Sequence, residues 1–446
     1  MAAEKKKYLF EIAWETCNQV GGIYTVIRTK VPSMVEKWGD DYALLGPYFP
    51  QTAAAEFEPI PVTDETPLGR AIISLRQKGL GIHYGYWLIT GKPKIVLFEL
   101  DSLMPEVDAI KGLIWENHKI STLGVEDLVN QTIVFGEMIR RLLTEVAEEN
   151  KNKMHLVAHF HEWMASTGLP DLKKDKVKIS TVFTTHATML GRYLAGNVPN
   201  FYDVIENFDW YKEAKHYGIE AQACFERAAA QKADVLTTVS DITARECQYF
   251  LGRIPELILP NGLNIQRFAA LHEHQNLHSK YKESISNFVM GHFFQSQPFD
   301  LDQTLYLFTS GRFEYSNKGY DITLDALAIL NRKMKEAGSK KTIVMFFVTK
   351  QPYHSIDPEV LHSRAVLDEI RENCHAIEKE VGEHLFKASA SSSDLQMPDL
   401  NAFVDEYWRM RLRRTVSLCN KPSRSSRSDF SSFNSCSILM PSRRAN

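Results

Sequence analysis

Short apolar runs of strand length alternate with longer helical patterns through the first half of this chain, and few folds accommodate that rhythm. The runs are Tyr8 to Ala13, Tyr42 to Gly46, Ile95 to Phe98, Leu156 to Phe160, Ser180 to Thr184 and Val235 to Val239. Between them lie helical patterns, notably Val125 to Val146 and Trp210 to Ala229. Strands apolar on both faces, separated by helices, belong to a parallel sheet covered on each side. The expected fold class is therefore α/β, a doubly wound parallel sheet. Pro260-Asn-Gly262 is a turn signal, followed by a helical stretch from Gln266 to Phe294. The rhythm restarts at Thr304 to Phe308 and Thr342 to Val348. A domain boundary is expected between residues 260 and 300. Two strands are too few for a complete second doubly wound domain.

Composition narrows the class. A chain of 446 residues suggests two or three domains. Its hydrophobic fraction of 44% and charged fraction of 24% are ordinary for a soluble globular protein. A formal net charge of -3 argues against a general nucleic-acid binder. Glu11 and Glu15 interrupt the only apolar run near the start, so neither a secretory signal nor a membrane span is read there. Six cysteines without paired spacing fit reduced thiols. The expectation is a cytoplasmic protein with no nucleic-acid or membrane partner.

Five segments carry candidate chemistry. Thr304 to Phe308 runs into Thr309-Ser-Gly-Arg-Phe-Glu-Tyr-Ser-Asn-Lys-Gly319, which places Arg312 and Lys318 on one loop before a helical pattern from Asp321 to Leu330. Open α/β sheets bind ligands at the carboxyl ends of their strands. A guanidinium and an ammonium there suit a diphosphate, and equally a solvated basic loop. Val20-Gly-Gly-Ile-Tyr-Thr-Val26 follows the first strand, where backbone N–H groups can approach an anion; a plain strand-to-helix turn fits as well. In His159-Phe-His-Glu-Trp163, His161 and Glu162 suit hydrogen bonding to hydroxyl-rich ligands with Trp163 against a sugar ring, and equally His161 fits a hydrogen-bonded helix cap with Trp163 in the core. Thr184-Thr-His-Ala-Thr-Met-Leu-Gly-Arg192 adds His186 and Arg192 at another strand end. In Leu271-His-Glu-His-Gln-Asn-Leu-His278, His272, Gln275 and His278 share a helix face. No cysteine or acidic pattern completes a zinc spacing there, so no metal is expected.

Taken together, these segments resemble glycogen synthases of the animal and fungal type. The likeness is carried by Glu11-Ile-Ala-Trp-Glu15, Val20-Gly-Gly-Ile-Tyr-Thr-Val26, His159-Phe-His-Glu-Trp163, Thr184-Thr-His-Ala-Thr188, Gly191-Arg-Tyr-Leu194, Thr237-Thr-Val-Ser240, Pro260-Asn-Gly-Leu-Asn264 and Gly311 to Gly319. It extends over roughly residues 8 to 414. The resemblance implies the GT-B architecture, two facing Rossmann-like domains, with the second incomplete here and a helical pair inserted in it. It implies transfer of glucose from UDP-glucose to the 4-hydroxyl at a non-reducing end of glycogen, with retention, an α-1,4 linkage and neither metal nor other cofactor. The corresponding divisions are residues 1–265 and 301–354 for the two Rossmann-like parts, 266–300 between them, 355–414 for the helical pair and 415–446 for a tail.

Residue by residue, the resemblance assigns Arg312 and Lys318 to the UDP diphosphate, and His186 and Arg192 to the donor from the other domain. Gln19, Gly21, Gly22, Asn261 and Lys282 match further donor-side positions, and His161 and Glu162 are expected on the acceptor side. Gln19 stands where the family has a lysine, so the chain supplies no charge there. His272, Glu273, Gln275 and His278 match residues of a glucose-6-phosphate effector site. The family's arginine-rich effector helix and its Glu-Pro-Trp-Gly-Tyr-Thr-Pro-Xaa-Glu motif do not occur in this sequence.

Pro358 to Lys387 reads as a long helix with an inward stripe of Val366, Ile370, Ile377 and Val381, supported by Cys374. With the helix begun at Leu400 to Arg414, it matches the family's tetramer contacts and implies a homo-oligomer; a non-catalytic assembly subunit, or another GT-B sugar-nucleotide transferase, is the alternative. Thr415 to Asn446 holds ten serines and five Lys or Arg against Asp429 alone, a composition expected to be disordered. It reads either as a natural tail or as a departure from the family's reading frame near Arg414.

Overall fold

The computed structural model describes residues 6–151, 153–263, 271–293, 300–349, 358–391 and 399–419. Met1–Ala269 and Ala270–Asn446 form two compact units. In the first, β1 (Lys7–Ala13), β2 (Tyr42–Pro47), β3 (Phe57–Pro59), β4 (Gly81–Trp87), β5 (Lys94–Glu99), β6 (His155–His161), β7 (Ser180–Thr185), β8 (Val235–Thr238) and β9 (Leu257–Ile258) make a nine-stranded sheet. Their order is β3-β4-β5-β2-β1-β6-β7-β8-β9. From β5 through β9 every pairing is parallel, while β3 and β4 pair antiparallel at one edge. The doubly wound expectation holds.

Alternation along β1 shows why the sheet must be covered twice. Phe10 and Ile12 enter one core with Val96, Phe98, Phe135 and Phe160. Leu9 and Ala13 enter the other with Ile27, Leu44 and Leu97. The chain passes from β1 to β2, jumps to the edge at β3 and returns through β4 to β5, then crosses to the other side of β1 with β6. That reversal puts the sheet's switch point between β1 and β6, where ligands of open α/β sheets bind.

Two sequence expectations need correction, and one open alternative closes. β3 and β4 were not foreseen, because a half-buried antiparallel edge alternates in burial instead of reading as a continuous apolar run. The helix expected over Trp210 to Ala229 is two, Trp210–His216 and Glu220–Lys232. Gly218 separates them with φ +69, a left-handed turn that a continuous helix cannot hold. Trp163 is core, 5% exposed, and presents no face to a ligand.

The Asp127–Asn150 helix fixes the backbone just beyond β6. Thr167 Oγ1 donates to the Thr132 carbonyl at 2.7 Å. A Cβ on Gly136 would run into Thr167 Oγ1 and come within 2.6 Å of the Gly168 nitrogen. The helix therefore approaches the Glu162–Ser166 turn as closely as backbone permits.

In the second unit, β10 (Thr304–Ser310) and β11 (Thr342–Val348) pair in parallel as a two-stranded sheet. Leu305 is 49% and Phe308 77% exposed, and Phe346 and Phe347 are only half-buried. The Tyr320–Glu336 helix follows β10. The Pro358–Ser391 helix packs against the Leu271–Phe293 and Glu406–Cys419 helices. Val366 is buried, and Ile370, Ile377 and Val381 are half-buried, but Cys374 is exposed. Asn373 takes the inward place instead, 3.5 Å from Thr415 Oγ1. The last helix continues to Cys419, past the boundary expected at Arg414; Thr415 Oγ1 bonds the Arg411 carbonyl within it. Residues 420–446, most of the expected tail, lie outside the described residues, as do 264–270 from the expected 266–300 segment.

Gly136→Ala is expected to destabilise the first unit by about 1–3 kcal/mol through overpacking. Urea denaturation followed by tryptophan fluorescence should show a lower midpoint; an unchanged midpoint would mean that the helix can move away at no cost.

Candidate functional site

Register alone gathers the polar groups of the first unit. Glu11 pairs with His159, Ala13 with His161, and His161 with Thr184, so β1, β6 and β7 present their ends side by side. Glu11 lies wholly buried in the central strand, on the Leu9 and Ala13 side by alternation. Its Oε1 accepts from His161 Nε2 at 2.7 Å and pairs with the Lys30 ammonium of the Gly22–Trp38 helix. Its other oxygen accepts from the Tyr42 hydroxyl of β2. Burial opposes the charge on Glu11, but Lys30 and the His161 bond outweigh it and hold the carboxyl well below the usual range.

A second bond carries this chain outward. His161 Nδ1 lies 3.2 Å from His186 Nε2, where the backbone leaves β7. The His159 ring lies tilted beside His161 at 4.2 Å between centroids and bonds Thr184 Oγ1 at 2.7 Å. Burial lowers the pKa of all three imidazoles, that of His186 to about 3, so they are neutral at physiological pH.

Glu162 follows β6 with φ +65, a left-handed conformation that costs about 1–3 kcal/mol for a residue with a Cβ. Its carboxylate explains the position. Oε1 accepts from the His186 backbone N–H at 2.9 Å, and Oε2 pairs with Arg192 at 3.3 Å. Glu226 accepts from Thr185 Oγ1 at 3.0 Å and from the Met189 N–H at 2.9 Å. Glu246 accepts from Thr188 Oγ1 at 2.8 Å. Three buried carboxylates thus brace the turn from Thr185 to Met189. Burial, and then repulsion from Glu162, push Glu226 up to about 8. Burial likewise raises Glu162 and Glu246.

The glycine loop is not free to receive an anion in this structure. Glu15 Oε2 accepts from the Gly21 N–H at 2.8 Å and the Tyr24 N–H at 2.9 Å. The chain supplies its own carboxylate at the start of the Gly22–Trp38 helix, as favours a helix N-terminus. Gln19, Gly21 and Gly22 lie exposed around it.

The first unit thus gathers Gln19, Gly21, Gly22, His161, Glu162, His186 and Arg192 at the ends of β1, β6 and β7. His161 and Glu162 are each 3% exposed, so they support His186 and Arg192 and face no open surface. Asn261 is exposed beyond β9 and apart from these strand ends. In the second unit, Arg312 and Lys318 share the exposed loop after β10, with Arg312 paired to Glu314 at 3.0 Å. Lys282 is half-exposed, and Gln275 and His278 exposed, on the Leu271–Phe293 helix. The side chains of His272 and Glu273 lie outside the described residues.

Glu11, His159 and His161 are close enough to one another to hold a metal ion. The donor set does not fit one. The Lys30 ammonium sits on the Glu11 oxygen facing the imidazoles, and His159 and His161 are engaged with Thr184, Glu11 and His186. Lys30, Tyr42, Glu226 and Glu246 were missed in sequence. Their only signal was charge or hydroxyl inside apolar strands and helix faces, with partners tens of residues away.

A sequence model described as glycogen synthase matches residues 11–426. The chain belongs to the glycogen synthase family. It is 40% identical over 413 residues to a glycogen [starch] synthase of Neurospora crassa, covering 92% of this chain and 58% of the relative. Against the liver glycogen [starch] synthase of Mus musculus the identity is 40% over 397 residues, 89% of this chain and 56% of the relative. Isoform 1 of Saccharomyces cerevisiae gives 42% over 388 residues, 85% and 54%. The chain thus spans about half the length of the curated relatives it matches. Among solved structures, an α,α-trehalose-phosphate synthase (UDP-forming) of Burkholderia vietnamiensis aligns at 13% identity with a TM-score of 0.37, covering 84% of this chain and 69% of that one. That likeness is too loose to bear on the site.

The opposed shifts set the pH dependence of stability. Glu226 rises from 4.5 to about 8 on folding, so its contribution is full below pH 4.5 and is lost as pH rises through about 8. His186 falls from 6.5 to about 3, so its contribution is full above pH 6.5 and is lost as pH falls towards 3. Glu226→Gln is expected to flatten the alkaline decline by a few kcal/mol or less, and His186→Gln the acid one. Urea midpoints measured from pH 4 to 9 check both; parallel profiles for wild type and variants would refute the assignments.

Proposed function

We propose that this chain is a retaining glucosyltransferase that moves glucose from UDP-glucose to the 4-hydroxyl at non-reducing ends of glycogen, forming an α-1,4 linkage. The observation that carries the reading is the family match across residues 11–426. Departure of UDP builds negative charge on the diphosphate, and fixed cations lower that barrier without a metal. Arg312 supplies a planar fork for phosphate oxygens and Lys318 a compact charge on the same loop. His186, neutral and fixed by two backbone and ring contacts, suits a sugar hydroxyl. Arg192 serves the donor when it exchanges Glu162 for a phosphate. Gln19, Gly21, Gly22, Asn261 and Lys282 complete the donor side in this reading, and His161 and Glu162 act behind His186. In this reading the chain has the GT-B architecture and works in the cytoplasm. No helix among the described residues is long and apolar enough to cross a membrane.

A second reading follows from the two-stranded sheet of β10 and β11 with its exposed Leu305 and Phe308. In it the chain is a non-catalytic assembly subunit, joined to copies through the Pro358–Ser391 and Glu406–Cys419 helices. Light scattering at micromolar concentration separates the cases, since a strict monomer excludes this subunit role.

Purified chain is expected to incorporate labelled glucose from UDP-glucose into glycogen. Arg312→Ala and Lys318→Ala should each reduce that rate by about 10²–10³-fold, the scale of losing a donor to developing charge. Incorporation unaffected by both variants would rule out the loop as the diphosphate site. No incorporation by folded protein would sink the enzymatic reading.

A further inference from the structure

We infer that Glu11 is a positioning residue acting through His161, holding His186 in the tautomer that carries its proton on Nε2 and offers Nδ1 as a bare acceptor. The argument runs by elimination along one chain of hydrogen bonds. Glu11 is ionised, with Lys30 on the same oxygen that meets His161, so that oxygen only accepts. The proton of the 2.7 Å bond therefore belongs to His161 Nε2. A neutral imidazole has one N–H, so His161 Nδ1 is a lone pair. The 3.2 Å contact to His186 then needs the proton on His186 Nε2. The last nitrogen, His186 Nδ1, is left as an acceptor. It is buried and has no hydrogen-bond partner among the described residues.

Protonation of His161 would break the chain by letting both its nitrogens donate. Burial and the neighbouring Lys30 hold it neutral. His159 does not compete, because its Nε2 bonds Thr184 Oγ1, which in turn lies 2.5 Å from Thr237 Oγ1. The Glu162 bond to the His186 backbone N–H fixes the residue's place but touches neither ring nitrogen. Ring polarity is thus set by Glu11 alone, two residues away along the bond chain.

An orphaned buried acceptor costs about 1–3 kcal/mol, and a donor brought beside it recovers that cost. In functional terms, and resting on the reading of His186 as a sugar contact, the ring selects a hydroxyl that donates. A fluorine or ether oxygen at the same place meets lone pair against lone pair. The analogous dependence of a histidine tautomer on a buried carboxylate is the logic of the serine-protease triad, although no proton is transferred here.

The test is two-bond ¹H–¹⁵N correlation on the full chain labelled with ¹⁵N-histidine, with His186 assigned by loss of its signals in His186→Gln. Wild type is expected to show a pyridine-type shift at His186 Nδ1 and a pyrrole-type shift at Nε2. The reverse pattern, or an imidazolium, overturns the inference. Glu11→Leu removes the acceptor that holds the His161 proton on Nε2 and should release both rings into tautomer mixtures; an unchanged His186 in that folded variant also overturns it. Should the variant not fold, the wild-type spectrum decides by itself. UDP-glucose and its analogues with fluorine in place of each hydroxyl give the second readout. Wild type should reject one analogue by roughly 10- to 100-fold in binding, the scale of one unmatched buried group, and Glu11→Leu should narrow that ratio. If wild type binds no UDP-glucose, the proposed function falls while the tautomer result still stands or fails by the spectrum.

Discussion

An ionised carboxylate in the middle of a central strand is a heavy constraint, and Glu11 imposes it here. Burying such a charge costs several kcal/mol unless it is paired and fully hydrogen-bonded. Lys30 arrives from the first helix, Tyr42 from β2 and His161 from β6. One carboxylate therefore ties together the strands on both sides of the switch point and the helix that covers them. Removing any partner leaves charge uncompensated in a dry place, so these residues hold the fold while they orient His186. Core packing by Phe10, Ile12, Leu9 and Ala13 fills the space around this arrangement without specifying it.

Charge is distributed unevenly between the two units. The site of the first unit is built on carboxylates, with Glu15 on the glycine loop, Glu162 behind Arg192, and Glu226 and Glu246 under the turn after β7. An acidic interior disfavours a naked diphosphate, and Glu15 already fills the amides a phosphate would seek. Exposed cations stand on the loop after β10, Lys318 and Arg312, the latter paired only with the nearby Glu314. This division supports a reading in which the loop after β10 carries most of the phosphate contact and the first unit contributes Arg192 and the hydroxyl contacts.

What could be read in sequence follows from sequence distance. β1, β2, β5, β6, β7 and β8 were legible because strands covered on both faces keep short apolar runs, whatever their neighbours. β4 was not, since half its residues face outward and its pattern needs the sheet to interpret it. The motif residues His186 and Arg192 were legible as types at strand ends, but the carboxylates that aim them were not. His161 lies 150 residues from Glu11 and Tyr42 lies 31 away, so no local window joins them. The left-handed backbone of Glu162 leaves no mark on composition either. Only the carboxylate's two partners account for a glutamate there. Cys374 and Asn373 exchanged places for a simpler reason, that a one-residue rotation of a helix moves the stripe by about a quarter turn.

Thr304–Ser310 and Thr342–Val348 contain no charged residue and no proline, and their only strand partners among the described residues are each other. Among the described residues, each strand thus has a strand partner on one side of its backbone ladder only. A side without such a partner is a template, to which any extended segment of suitable pattern can add by main-chain bonding. The same pair of strands that places Arg312 and Lys318 also carries an invitation to sheet growth. Where the added strand comes from a neighbouring molecule, concentration becomes a variable in this protein's behaviour.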